Sequence, residues 1–163
     1  MNILVSGIGY SNISDMSFGR VLLGDLAEMS WPEHVRVEDL NFGPIMILQW
    51  FEESPVKYEK LVLVNAAKRG RSPGTLEVYR WPGQLPSEAE IQARVEEAVT
   101  GVIDMENMLI ICKHFGELPA EVVIIEVEPE KENWGLEFSP IVAARVNEAL
   151  ALVRREVMKD SLK

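Results

Sequence analysis

The residues best placed for chemistry follow an apolar run at the start of the chain. Ile3-Leu4-Val5 leads into Ser6-Gly7-Ile8-Gly9, a polar loop from Tyr10 to Ser14 holds Asn12, and Asp15 closes it. Two glycines one residue apart allow a tight turn and a close approach of backbone to a neighbour or ligand. A G-x-G-x-x-G loop would cradle a dinucleotide, with an acidic residue such as Glu38 or Asp39 as ribose anchor. Asn12 stands where the third glycine belongs and the helix begins late, so the glycines are read as serving turn geometry. Cys112 and His114 lie two apart on one apolar helical segment and face different ways. They do not form a shared metal site, and Cys112 reads as a core thiol. His34 and the basic loop Lys68-Arg69-Gly70-Arg71 read as solvated.

The elements that carry these residues can be followed in order. Ile3–Val5 reads as a buried strand and the stretch from about Phe18 to Met29 as a helix, with Asp15 as N-cap. Residues 35–40 alternate as a strand, and Asn41-Phe42-Gly43-Pro44 turns into a helix from Ile45 to Phe51, continuing to Glu53. Leu61–Val64 is the clearest buried strand, and Leu76–Arg80 is the next. Ser87-Glu88-Ala89-Glu90 opens a polar helix reaching Ala98, and Asn107–Phe115 reads as a core helix. Val122–Val127 is a strand; Ser139 caps and Pro140 opens a last helix from Ile141 to about Met158, with Lys159–Lys163 fraying beyond. A strand, glycine turn, polar loop and helix put the first loop at the C-terminal end of a strand, where open α/β sheets bind ligands.

At 163 residues, with 47% hydrophobic side chains and a mean hydropathy of +0.03, the chain suits one soluble domain spanning 1–163. No apolar run reaches the roughly 18 residues of a membrane span. The N-terminus lacks the basic and apolar regions of a secretory leader. A single cysteine leaves no internal disulfide and fits a reducing, cytoplasmic setting. A net charge of −10 argues against nucleic acid and anionic membrane as partners, and is compatible with a basic protein segment.

GIGYSNISDMSFG resembles the N-terminal signature of the NiFe-hydrogenase maturation endopeptidases, roughly G-[IV]-G-N-x-x-x-x-D-[ED]-x-x-G. Gly7, Gly9, Asp15 and Gly19 fall on the pattern; Tyr10 replaces its asparagine and Met16 its second acidic residue. Further along, Asp39 and Gly43 match the ends of D-G-G-T-x-G, and Asn65-Ala66 stands at the family's D-A. Ser72-Pro73-Gly74-Thr75 is close to x-x-P-G-T. Gly116 to Pro119 matches G-x-[FLM]-P, and Gly135 to Pro140 resembles G-L-[ST]-P with Glu137-Phe138 inserted or shifted.

The resemblance implies an α/β fold: a three-layer sandwich whose twisted, mainly parallel sheet of about five strands has helices on both faces. It implies removal of a C-terminal peptide from the large subunit of a NiFe hydrogenase after nickel insertion, the nickel in the substrate serving as recognition element. No tightly bound cofactor is expected, only nickel supplied by the substrate. By family position the metal-facing residues are Met16, Asn65 and Asp104, the last standing with Glu106 in a segment that lacks the family's histidine. Gly7, Gly9, Asp15, Asp39 and Gly43 form the supporting loops. A thioether and an amide are much weaker ligands for a divalent cation than carboxylates. The alternative function is therefore a non-catalytic homologue that binds a partner protein, and no metal ligand or catalytic residue is assigned.

Overall fold

The structure is a computed structural model and describes residues 1–159; of the tail expected to fray, Lys159–Lys163, all but Lys159 lies outside the described residues. Among these, five strands form one sheet in the order β2-β1-β3-β5-β4. They are β1 (Ile3–Gly7), β2 (Val35–Val37), β3 (Lys60–Ala66), β4 (Leu76–Arg80) and β5 (Glu121–Val127). β2, β1, β3 and β5 run parallel, and β4 joins the edge antiparallel to β5. The helices are α1 (Phe18–Glu28), α2 (Pro44–Glu53), α3 (Glu88–Val99), α4 (Met105–His114), α5 (Pro140–Ala143) and α6 (Val146–Met158).

The strands are apolar almost throughout because both faces of a parallel sheet are covered. Alternation sends Ile3, Val5, Val62, Val64 and Ile125 to one face, where Phe18, Leu22 and Leu26 of α1 and Ala149, Val153 and Val157 of α6 pack. Leu4, Leu61, Leu63, Val122 and Ile124 point the other way, onto Ile47 and Phe51 of α2, Ile91 of α3 and Leu109 to Cys112 of α4. The result is the three-layer α/β arrangement, with helices on both faces of a mostly parallel sheet. No helix among the described residues is long and apolar enough to cross a membrane.

The layers close to backbone contact where β1 meets α1. A Cβ placed on Gly7 would lie 1.9 Å from the Gly19 carbonyl oxygen, and one on Gly19 would lie 2.2 Å from the Val64 oxygen. The requirement at Gly7 and Gly19 is thus the absence of a side chain, not an unusual backbone angle.

Three expectations are corrected. β2 stops at Val37 instead of reaching Leu40, because the Ser6 hydroxyl donates to the Glu38 carbonyl (2.6 Å) and receives the Leu40 N–H (3.3 Å), bending the chain off the sheet. Asp15 is not an N-cap: it lies inside a 3-10 turn, Ser14–Ser17, and Ser17 precedes α1 without a side-chain cap. The last helix is two, broken at Ala144-Arg145, where the Arg145 N–H bonds three residues back to Val142 at 2.9 Å. Neither proline nor glycine marks that break.

Candidate functional site

At the C-terminal edge of β1 and β3 lies a cavity of about 340 Å³. Three separate segments wall it. The loop after β1 supplies Gly9, Tyr10 and Met16; the end of β3 and its loop supply Asn65, Ala66, Lys68 and Arg69; the start of α4 supplies Ile103, Asp104, Met105 and Glu106. Met16, Asn65 and Asp104 thus border one hollow although they lie far apart in the chain.

Asn65 is 7% exposed. Its Nδ2 donates to Glu126 on the neighbouring strand (3.4 Å), and its Oδ1 is buried without a hydrogen-bond partner among the described residues. An unpartnered buried carbonyl is uncommon, and this one belongs to a residue of the cavity wall. Asp104 caps α4, its carboxylate accepting the Asn107 N–H at 2.9 Å.

The supporting residues act behind the wall. Asp15 is fully buried and turned away from the cavity. Its carboxylate accepts the backbone N–H groups of Glu130 (2.9 Å), Lys131 (2.7 Å) and Ser139 (2.8 Å) and the Ser139 hydroxyl (2.8 Å). Burial pushes the Asp15 carboxyl up, but the donors, Lys131 N–H foremost, outweigh it and hold it below the ordinary carboxylate range. The Ser139 hydroxyl is therefore spent on Asp15 and does not cap α5, contrary to expectation.

Asp39 lies outside the cavity lining. Its Oδ1 accepts both the N–H and the Nδ2 of Asn41 (2.8 Å each), and Asn41 bonds the Gly7 carbonyl (2.8 Å) and the Gly9 N–H (3.0 Å). Asn41, read in the sequence only as part of a turn, thus locks the glycine turn. Gly43 is the N-cap residue of α2, against Gly101.

The basic loop is solvated only in part: Lys68 and Arg69 are exposed, but both arginines are tied to buried carboxylates. Arg69 donates twice to Glu126 (3.2 Å each), Arg71 pairs with Glu126 and with Glu128 (3.5 Å), and the Tyr79 hydroxyl lies 3.0 Å from Glu126. Glu126 is 1% exposed. Burial pushes its carboxyl up, yet hydrogen bonds from Arg69 and Arg71 bring it below its usual value. Tyr79 is pushed up to about 12, by burial first and by the Glu126 charge second. The available signal was Glu126 itself, a carboxylate within the apolar run VVIIEV.

Cys112 is fully buried on α4, and burial pushes its thiol up to about 12. Among the described residues no three His, Cys, Asp or Glu side chains come together as a group able to hold a metal ion. The cavity offers a thioether, an unpartnered amide carbonyl and the carboxylates of Asp104 and Glu106, a donor set that does not fit a tight divalent-cation trap.

A family model described as HycI, hydrogenase maturation protease, matches residues 23–156. The chain belongs to the hydrogenase maturation protease family. The match begins after the Gly7–Gly19 stretch, and likeness to solved structures extends across it. A hydrogenase 2 maturation peptidase from a Thaumarchaeota archaeon is 25% identical, with 96% of this chain and 98% of that one covered and a TM-score of 0.67. The hydrogenase maturating endopeptidase HybD of E. coli shares the fold at 21% identity, covering 99% and 94%, with a TM-score of 0.72. The [NiFe] hydrogenase maturation protease HybD of Thermococcus kodakarensis does so at 18% identity, covering 96% and 99%, with a TM-score of 0.65. A search of curated proteins gave no match.

Proposed function

We propose that this hydrogenase maturation protease family member receives the C-terminal segment of a NiFe-hydrogenase large subunit in the cavity between β1, β3 and α4, in the cytoplasm, and promotes its removal. One observation supports the reading: Met16, Asn65 and Asp104, which the sequence resemblance assigns to the metal-facing positions, border a single hollow at the C-terminal edge of the sheet. The nickel is part of the substrate, and the chain itself holds no metal tightly. Its own residues bind and orient. Asp15 and Asn41 hold the loops that set the walls, Asp104 and Glu106 supply negative charge, and the Asn65 carbonyl accepts a hydrogen bond or lends one neutral oxygen.

The donor set favours a second reading. With a thioether and an amide where the family has carboxylates, attraction to a divalent ion falls steeply. The chain then grips the large-subunit segment as a protein ligand and cleaves nothing.

Incubation of the purified protein with nickel-loaded large-subunit precursor separates the two. Release of the C-terminal peptide, read by mass spectrometry, supports the first. A complex that co-elutes with its precursor intact supports the second. Neither binding nor release would overturn both.

A further inference from the structure

Tyr10 in the cavity wall is exposed, and the segment bonded to the same loop exposes two more large apolar side chains, Trp134 and Leu136. Trp134 is 76% exposed and Leu136 81% exposed, on either side of Gly135. Side chains this apolar gain most by moving out of water, so the display of two of them on one short segment needs a reason.

The segment that carries Trp134 and Leu136 is firmly held. Asp15 fixes its two ends through Glu130, Lys131 and Ser139. Its middle is bridged to the loop after β1: the Gly135 N–H donates to the Asn12 carbonyl (2.9 Å), the Ser14 N–H to the Gly135 carbonyl (3.0 Å), and the Ser14 hydroxyl to the Asn133 carbonyl (2.8 Å). A pre-set apolar display loses little freedom on association, which is what a binding anchor needs. The segment is also acidic. Exposed Glu130, Glu132 and Glu137 outnumber the one basic residue of the segment, Lys131, with Glu132 paired to Lys68 of the cavity wall at 3.0 Å, and the whole chain carries −10. A second copy would bring the same acidic margin against itself, so the charge favours an unlike, basic-edged partner.

We infer that Trp134 and Leu136, with Tyr10 linking them to the cavity, are the anchor that docks an apolar, lysine- or arginine-bordered surface of the same large-subunit precursor whose tail enters the cavity. The inference rests on the proposed function for the identity of the partner. Buried aromatic anchors dominate protein interfaces, and acidic margins speed the approach of basic ones.

The test is surface plasmon resonance of purified precursor on wild type, on Trp134→Ser/Leu136→Ser and on Glu130→Lys/Glu137→Lys. Wild type should bind, with an association rate that falls as sodium chloride rises from about 0.05 M to about 0.5 M. The serine variant should bind at least about tenfold more weakly at an unchanged melting temperature. The lysine variant should show a weaker salt dependence and a slower association at low salt. If wild type binds and both variants match it, the anchor is overturned while the proposed function stands. If wild type does not bind, the proposed function falls and takes the anchor with it. Self-association of wild type that the serine change abolishes would assign the surface to a second copy and overturn the inference.

Discussion

Asn65 and Glu126 face each other as register partners on β3 and β5, amide Nδ2 to carboxylate Oε1 at 3.4 Å. The neutral amide thereby sits beside a buried carboxylate whose charge two arginines already balance. A carboxylate at 65 would bring like charges together, and one of the pair would hold its proton more tightly. Asn65→Asp should therefore tighten Cd²⁺ binding about tenfold or more over wild type, with an affinity that rises with pH, as calorimetric titration would show. The same change should cost about 1–2 kcal/mol in a denaturant melt at neutral pH. An unchanged Cd²⁺ affinity would remove Asn65 from the set of residues facing the metal.

Asp15→Asn tests the clamp behind the cavity wall. An amide turns an NH₂ group toward backbone donors that need an acceptor, at a cost of about 2–4 kcal/mol. The sign of the pH effect follows from the lowered carboxyl of Asp15. Its stabilisation is complete above the unfolded value near 3.9 and is lost as pH falls through the lower folded value. Melting temperatures of wild type and variant should lie far apart at neutral pH and converge below about pH 4.

Glu126→Gln removes the charge that Arg69, Arg71 and Tyr79 share. Arg69 is half exposed and can turn to water, whereas Arg71 and Tyr79 are more confined, so the expected cost is about 2–3 kcal/mol. With the negative neighbour gone, Tyr79 should titrate below the value near 12 that it has in the wild type, visible in ultraviolet absorbance. An unmoved titration would show that burial alone raises it.

Two glycines of α1 form a matched pair. Gly24 has open space where a Cβ would go and is exposed, so Gly24→Ala should stabilise by about 0.5–1 kcal/mol. Gly19→Ala would drive a methyl into the Val64 and Ile8 backbone and should destabilise by more than about 3 kcal/mol or prevent folding. Urea melts of the two variants would decide it; equal, small effects would show that helix and sheet can separate cheaply.

The order of strands and helices was legible because it is written in local signals: apolar runs such as Leu61–Val64, the glycine turn after β1, and the Ser87 start of α3, whose hydroxyl accepts the Glu90 N–H in the structure. What escaped depends on partners distant in sequence. Asp15 before a helix has the pattern of a cap, but its four donors come from residues 130–139. Arg69 and Arg71 look like a surface loop until β5 brings Glu126 and Glu128 beneath them. Asn41 matters only because β1 and the loop after β2 lie side by side, and polar side chains of that kind leave no periodic trace. Around the cavity the resemblance named one residue on each of three segments that the structure brings to one hollow, whereas the unpartnered Asn65 carbonyl is visible only in coordinates.

The bare contact between Gly7 and Gly19 separates two kinds of constraint. The closeness of β1 to α1 behind the hollow is set by main chain pressed on main chain, and that contact involves no side chain at 16, 65 or 104. A lineage could therefore trade one grip for another at those three places while the vessel keeps its shape, and a change of cargo would need no change of architecture.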